Sequence, residues 1–177
     1  MVPQEFVGLI RKSTQHRFLY HFTDSSNFES IAQHGLLSKA QMKEKGIWPP
    51  AHAGGNQLSW NLDEFRGIDD SVSLCMTRNH GMKFLAQKDG RLPDARYLAI
   101  DPDVLLIPGV RIALGVANSN DVEIFPVAEA IGKMDLEVIY SRTDWKDGAV
   151  YSRLRAAEKY EVLVPKSVDP ALILGVV

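Results

Sequence analysis

Tyr160-Glu161-Val162-Leu163-Val164-Pro165 is an apolar run interrupted by one carboxylate and closed by a proline. β-Branched and aromatic side chains suit a pleated, half-buried surface, and a proline cannot donate to the next ladder position, so the stretch reads as a strand that stops at Pro165. Glu161 breaks the pattern. It either points to water from the outer face of the strand or lines a cleft. Glu158, three positions earlier in a more polar context, reads as a surface charge.

Outward from this strand, Leu172 to Val177 predicts a final strand and Leu136-Glu137-Val138-Ile139-Tyr140 an earlier one. Between them lie a polar loop, Ser141 to Gly148, and the Arg-rich segment Tyr151 to Arg155. Ala128 to Lys133 predicts a helical turn, while Arg111 to Val127 fits strand or helix. Arg96 to Ile100 and Val104 to Ile107 read as strands around an Asp-Pro turn, Gly81 to Lys88 as a short helix, and Ser71 to Met76 as a strand. Gly46 to Asp70 carries Pro49, Pro50, Gly54, Gly55 and two Trp without a sustained period. It reads as a long connection of the kind that is usually functional. Phe18-Leu19-Tyr20-His21-Phe22 predicts a strand. The helix after it has Ser26 and Glu29 at capping-box spacing, Phe28, Ile31 and Ala32 on one face, and Gly35 as the stop; Lys39 to Lys45 adds a more exposed turn or two. Strands outnumber helices without a regular βαβ alternation, which defines an α+β class.

The 177 residues suit one domain spanning 1–177. A net charge of −2 gives no global basic field, so nonspecific coating of nucleic acid is disfavoured and any such substrate would sit in a local groove. The single Cys75 excludes an intramolecular disulfide and a thiolate metal cluster; inside an apolar strand it reads as an inert core thiol. The N-terminal residues lack a secretory pattern, and no apolar run approaches the roughly 20 residues of a membrane span, so the cytoplasm is the expected compartment. There is no GxxxxGK[ST] loop, no GxGxxG turn, no HExxH and no Cys/His cluster, so no metal is expected. His52 and His80 read as solvated loop residues.

Two further features carry chemistry. His21 and Thr23, at a strand end before a capped helix, are either a satisfied strand residue and a turn former or hydrogen-bonding groups around a polar ligand. Arg66, in Asn61-Leu62-Asp63-Glu64-Phe65-Arg66-Gly67, is either a solvated cation or a planar guanidinium that clamps a pyrophosphate.

Taken in order, Tyr20-His21-Phe22-Thr23, Gly35-Leu36-Leu37, Arg66-Gly67-Ile68-Asp69-Asp70, Val72-Ser73-Leu74, the Met82 segment and Tyr160 to Pro165 resemble the DarT family of ADP-ribosyltransferases. The resemblance implies a split β-sandwich with NAD⁺ in the cleft between two sheets. It implies that His21 and Thr23 hold the nicotinamide or adjacent ribose end, that Arg66 is the catalytic arginine near the phosphates, that Met82 packs against the dinucleotide, and that Glu161 is the catalytic glutamate. Arg153 and Arg155, by charge and position, would contact substrate phosphates. The acceptor it implies is a base in single-stranded DNA, the role that of a toxin or phage-defence effector, and the partner a macrodomain antitoxin. Lys159 stands two positions before the glutamate, where arginine-directed relatives carry Glu or Gln, which argues against a protein-arginine acceptor. An enzyme of the same fold acting on RNA, including a tRNA 2′-phosphotransferase, and a noncatalytic binding module are the alternatives.

Overall fold

A computed structural model describes residues 1–51, 61 and 63–177. Its α+β architecture rests on a seven-stranded antiparallel sheet. The strands are β1 (Leu19–Asp24), β3 (Ser71–Cys75), β4 (Ala95–Ile100), β5 (Arg111–Ala113), β6 (Ile124–Pro126), β7 (Glu161–Pro165) and β9 (Ile173–Val176), in the order β6-β5-β7-β3-β1-β4-β9. A separate pair joins β2 (Leu36–Leu37) to β8 (Ser167–Val168).

β7 is an inner strand, paired to β3 on one side and β5 on the other. Successive side chains of a strand point to opposite faces. Val162 and Val164 enter the main core with Val72, Leu74 and Ile112, whereas Leu163 packs on the other face against Ile68, Ala113 and Ala117. Both faces are covered, which is why the strand reads as an unbroken apolar run. Helices α1 (Pro3–Lys12), α5 (Val127–Ala130), α6 (Leu136–Tyr140) and α7 (Gly148–Ala157) contribute Phe6, Ile10, Val127, Val138, Ile139 and Ala157 to the main core. Further helices include α2 (Phe28–His34), α3 (Lys39–Lys45) and α4 (Gly81–Lys88).

The sheet is weakest at its centre. β1 and β4 are in register over six pairs, from Leu19↔Ile100 to Asp24↔Ala95, but β1 meets β3 at the single pair Tyr20↔Cys75. Beyond that pair the two strands part, and the side chain of His21 reaches the Ser73 carbonyl at 3.1 Å instead. The split expected of the sheet is therefore located between β1 and β3.

Several local expectations give way to tertiary context. Leu136–Tyr140 is a helical turn, not a strand: burying Val138 and Ile139 together needs adjacent positions on one helical face, and Arg153 of α7 ties down Asp135 and Glu137. Pro102–Leu106 is a 3₁₀ turn, because the Asp101 carboxylate accepts from the Asp103 N–H at 3.0 Å and Pro102 starts the turn. The cap before α2 is Asp24 rather than Ser26. Asp24 accepts from the Ser26 N–H and hydroxyl and from the Asp94 N–H, so a 3₁₀ turn, Ser25–Asn27, precedes the helix. Gly35 does end α2, at φ 73°, where an added Cβ would lie 2.2 Å from the Val168 carbonyl. No helix among the described residues is long and apolar enough to cross a membrane.

Candidate active site

Where β1 and β3 part, a cavity of about 160 Å³ opens through the sheet. His21 and Val72 line it from the face of the main core; Phe22, Cys75 and Glu161 line it from the other. Met82, from the first turn of α4, and Val116, Ala117 and Asn118, from the loop after β5, complete the wall near Glu161. Lys39 and Asp63, which form an ion pair, also line the cavity. The walls mix apolar side chains such as Phe22, Met42, Ile68 and Met82 with polar and charged ones, among them His21, Ser73, His80, Asn118 and Glu161.

Glu161 is the first residue of β7 and 8% exposed. It stands in register between Cys75 and Ala113, so the small Ala113 leaves room for the carboxylate at the cavity. Oε2 accepts from the Ala117 N–H at 3.3 Å, and Oε1 lies 3.2 Å from Nε2 of His80. His80 was expected in solvent; it is 1% exposed. The reason is that its backbone starts α4 while its ring stacks on Phe22, with centroids 6.1 Å apart. Burial, and then the Glu161 charge, push the Cys75 thiol well above its ordinary pKa, consistent with an inert thiol.

His21 has its pKa lowered by burial, with the Ser73 carbonyl opposing the shift. A carbonyl only accepts, so Nδ1 carries the proton and Nε2 of the neutral ring is left as an acceptor. Thr23 faces a smaller hollow of about 70 Å³ that shares His21 with the main cavity. Its hydroxyl accepts from Asn27 Nδ2 at 2.9 Å.

Arg66 does not line the cavity. Its guanidinium donates to the carbonyls of Ser119 and Val122, in the loop that supplies Ala117 to Glu161. Arg153 is held on the surface by Asp135 and Glu137 at 2.6–2.9 Å, contacts that raise its pKa. Arg155 flanks a groove beside the cavity, with His80, Met82, Val116 and Lys159. It binds Glu158 at 2.5 Å, and Asn79 donates to the other oxygen of that carboxylate at 3.1 Å. Glu158 is 5% exposed, so the expectation of a surface charge fails: Asn79, distant in sequence, supplies a polar pocket for it. His52 lies outside the described residues. Among the described residues no group of three His, Cys, Asp or Glu side chains is placed to hold a metal ion.

The site thus combines a parted antiparallel sheet, a buried glutamate beside the opening and a histidine on the parting strand. Residues 20–177 match the family model "DarT: ssDNA thymidine ADP-ribosyltransferase, DarT", and the chain belongs to that family. Among solved structures, it is similar to Thermosipho africanus DarTG in complex with ADP-ribose, with a TM-score of 0.66 and 22% identity, covering 88% of this chain and 42% of that chain. It is also similar to Thermus sp. 2.9 DarT in complex with ADP-ribosylated ssDNA, with a TM-score of 0.61 and 20% identity over 88% of this chain and 78% of that one. The same Thermus protein in complex with NAD⁺ has a TM-score of 0.61 at 19% identity, over 92% and 81% of the two chains. At these identities the structures establish the fold. No curated protein matches the sequence.

Proposed function

We propose that this chain transfers ADP-ribose from NAD⁺ to a thymidine base in single-stranded DNA, with Glu161 at the reacting centre. The observation that carries the reading is the placement of Glu161: a buried carboxylate, with Oε2 held by the Ala117 N–H and Oε1 3.2 Å from His80, lining a cavity at the parting of the sheet. Support for the donor and acceptor comes from the family and from the NAD⁺ and ADP-ribosylated ssDNA complexes of the Thermus relative. A macrodomain antitoxin is the proposed partner, from the resemblance and from the Thermosipho DarTG.

The residues fit a dinucleotide. Phe22, Met82 and Val116 offer apolar surface to a flat ring, and His21 Nε2 offers an acceptor to a carboxamide N–H. Thr23 acts from the adjoining hollow. Arg66 is assigned to the pyrophosphate. Charge-assisted hydrogen bonds to phosphate are roughly twice as strong as those between neutral groups, which would favour exchange of its two loop carbonyls for phosphate oxygens.

The chemistry needs one carboxylate in two capacities. When the nicotinamide–ribose bond breaks, its electron pair leaves with nicotinamide and positive character develops on the ribose carbon. Glu161 stabilises that charge from a fixed position, which costs no reorganisation at the moment of reaction. A thymine ring nitrogen supplies the electron pair of the new bond, and Glu161 takes the proton it loses. Lone-pair directions of the carboxylate remain for this, since the Ala117 N–H occupies one on Oε2 and His80 Nε2 lies 3.2 Å from Oε1 without a well-angled bond to it.

The test is incubation with NAD⁺ and matched oligonucleotides: thymine-containing single strand, its duplex, the corresponding RNA, and a single strand without thymine. Mass spectrometry is expected to find ADP-ribose on the thymine-containing single strand. Its absence there, with any other acceptor modified, overturns the acceptor assignment; no modification anywhere overturns the transferase reading.

A further inference from the structure

We propose that His80 is a positioning residue for Glu161, and that its Nε2–H holds the carboxylate in the orientation the transfer requires. This rests on the reading of Glu161 as the reacting carboxylate. His80 is 1% exposed, and Nε2 lies 3.2 Å from Glu161 Oε1. Neither ring nitrogen makes a well-angled hydrogen bond to any group, and the nearest carboxylate oxygen to Nε2 is that of Glu161. Buried polar atoms are nearly always partnered, and an apolar ring of the same size would fill the space against Phe22 without that cost. An imidazole here has one thing an apolar ring lacks, a nitrogen 3.2 Å from the carboxylate that a small rotation of either side chain brings into line to donate.

The surroundings make that donor consequential. Oε2 is held by a backbone N–H at the longer distance of 3.3 Å, from a loop rather than from the sheet. The facing residue Ala113 offers no side chain that could restrain the carboxylate, and Cys75 on the other side is a weak donor at most. His80 is therefore the one side chain among these neighbours able to fix rotation of the carboxylate about its last bond. The proposal puts the donated proton on Nε2, the nitrogen that lies 3.2 Å from Oε1. His80 also lines the groove that carries Met82 and Arg155.

Three substitutions separate donation from packing. His80→Phe keeps a ring against Phe22 and removes the donor. His80→Gln places an amide N–H near the position of Nε2, and His80→Asn places one near Nδ1. Initial rates on a thymine-containing single-stranded oligonucleotide, with NAD⁺ varied, give kcat and KM for each, and thermal melting reports folding. We expect kcat to fall at least about tenfold in the Phe and Asn variants, with KM for NAD⁺ within about twofold, and to recover in the Gln variant, as losses of an orienting partner typically run tenfold to a hundredfold. Wild-type kcat in His80→Phe, or equal loss in the Gln and Phe variants, overturns the proposal. Glu161→Gln run alongside keeps the two readings apart: if that variant is fully active, the assignment of Glu161 fails whatever the His80 variants do.

Discussion

Asn27 donates through Nδ2 to the Thr23 hydroxyl at 2.9 Å, with both side chains buried, and the same amide brackets residue 51 by accepting from its N–H and donating to its carbonyl. This joins the end of β1 to the start of the connection that precedes β3. Thr23→Val leaves one buried amide hydrogen without its acceptor and is expected to destabilise the fold by about 1–3 kcal/mol. Urea unfolding measures it. In a double-mutant cycle with Asn27→Ala the two losses should not add, because the variants share one bond.

Gly35 makes a harsher demand. At φ 73° and ψ −168° it occupies a region open essentially to glycine, and a Cβ would collide with the Val168 carbonyl of the β2–β8 pair. Gly35→Ala should therefore cost more than the ~1 kcal/mol of an ordinary glycine replacement and lower the melting temperature by several degrees. A melting temperature equal to wild type would mean that β2 and β8 are not held this closely.

His16 carries a pH signature. Burial, and then the charge of Arg78, lower its pKa to about 4 from 6.5. A base whose folded pKa is depressed binds fewer protons folded than unfolded, so stability is full above pH ~6.5 and is lost as pH falls toward 4. His21, also lowered by burial, acts in the same direction. His16→Gln should flatten the dependence of melting temperature on pH between those limits without abolishing it. An unchanged slope would remove His16 from the account.

The strand at Glu161 was legible because a carboxylate in an apolar run has only two outlets, and the structure takes the cleft. His21 was legible in the same way, as the polar residue of an aromatic strand. What was not legible depended on partners far away in sequence. His80 reads as a loop histidine until the sheet brings Glu161 to it, and Glu158 reads as solvated until Asn79 arrives. The short run at Leu136–Tyr140 has strand composition, but packing beside α7 decides its conformation, and composition carries no record of that neighbour.

Glu161 and Glu158 now predict contrasting failures. Glu161→Gln keeps the shape and removes the charge, so kcat should fall by about 10²–10³ while NAD⁺ affinity changes little. Glu158→Gln should leave kcat within a few-fold of wild type but lower stability, by about 1–3 kcal/mol, since Arg155 and Asn79 both bind the carboxylate. Rate assays and denaturant melts on the two variants decide it. The reverse pattern, Glu158→Gln inactive and Glu161→Gln active, would shift the reacting carboxylate to Glu158.

The two arginines proposed to meet substrate phosphates should behave differently from one another. Arg153 has its guanidinium taken by Asp135 and Glu137 and does not line the cavity or its groove, whereas Arg155 borders the groove that leads past His80. If phosphates of the single strand follow that groove, Arg155→Ala raises KM for the oligonucleotide, with KM for NAD⁺ unchanged and the increase shrinking as salt is raised. Arg153→Ala should leave both constants near wild type. Because Arg155 also covers the buried Glu158, Arg155→Ala is compared with the double variant Arg155→Ala/Glu158→Gln, which removes the uncompensated carboxylate. A raised oligonucleotide KM in both assigns Arg155 to the strand. Recovery in the double variant means the cation serves Glu158 and the DNA runs elsewhere. A rise with Arg153→Ala alone would place the strand along α7's outer face instead.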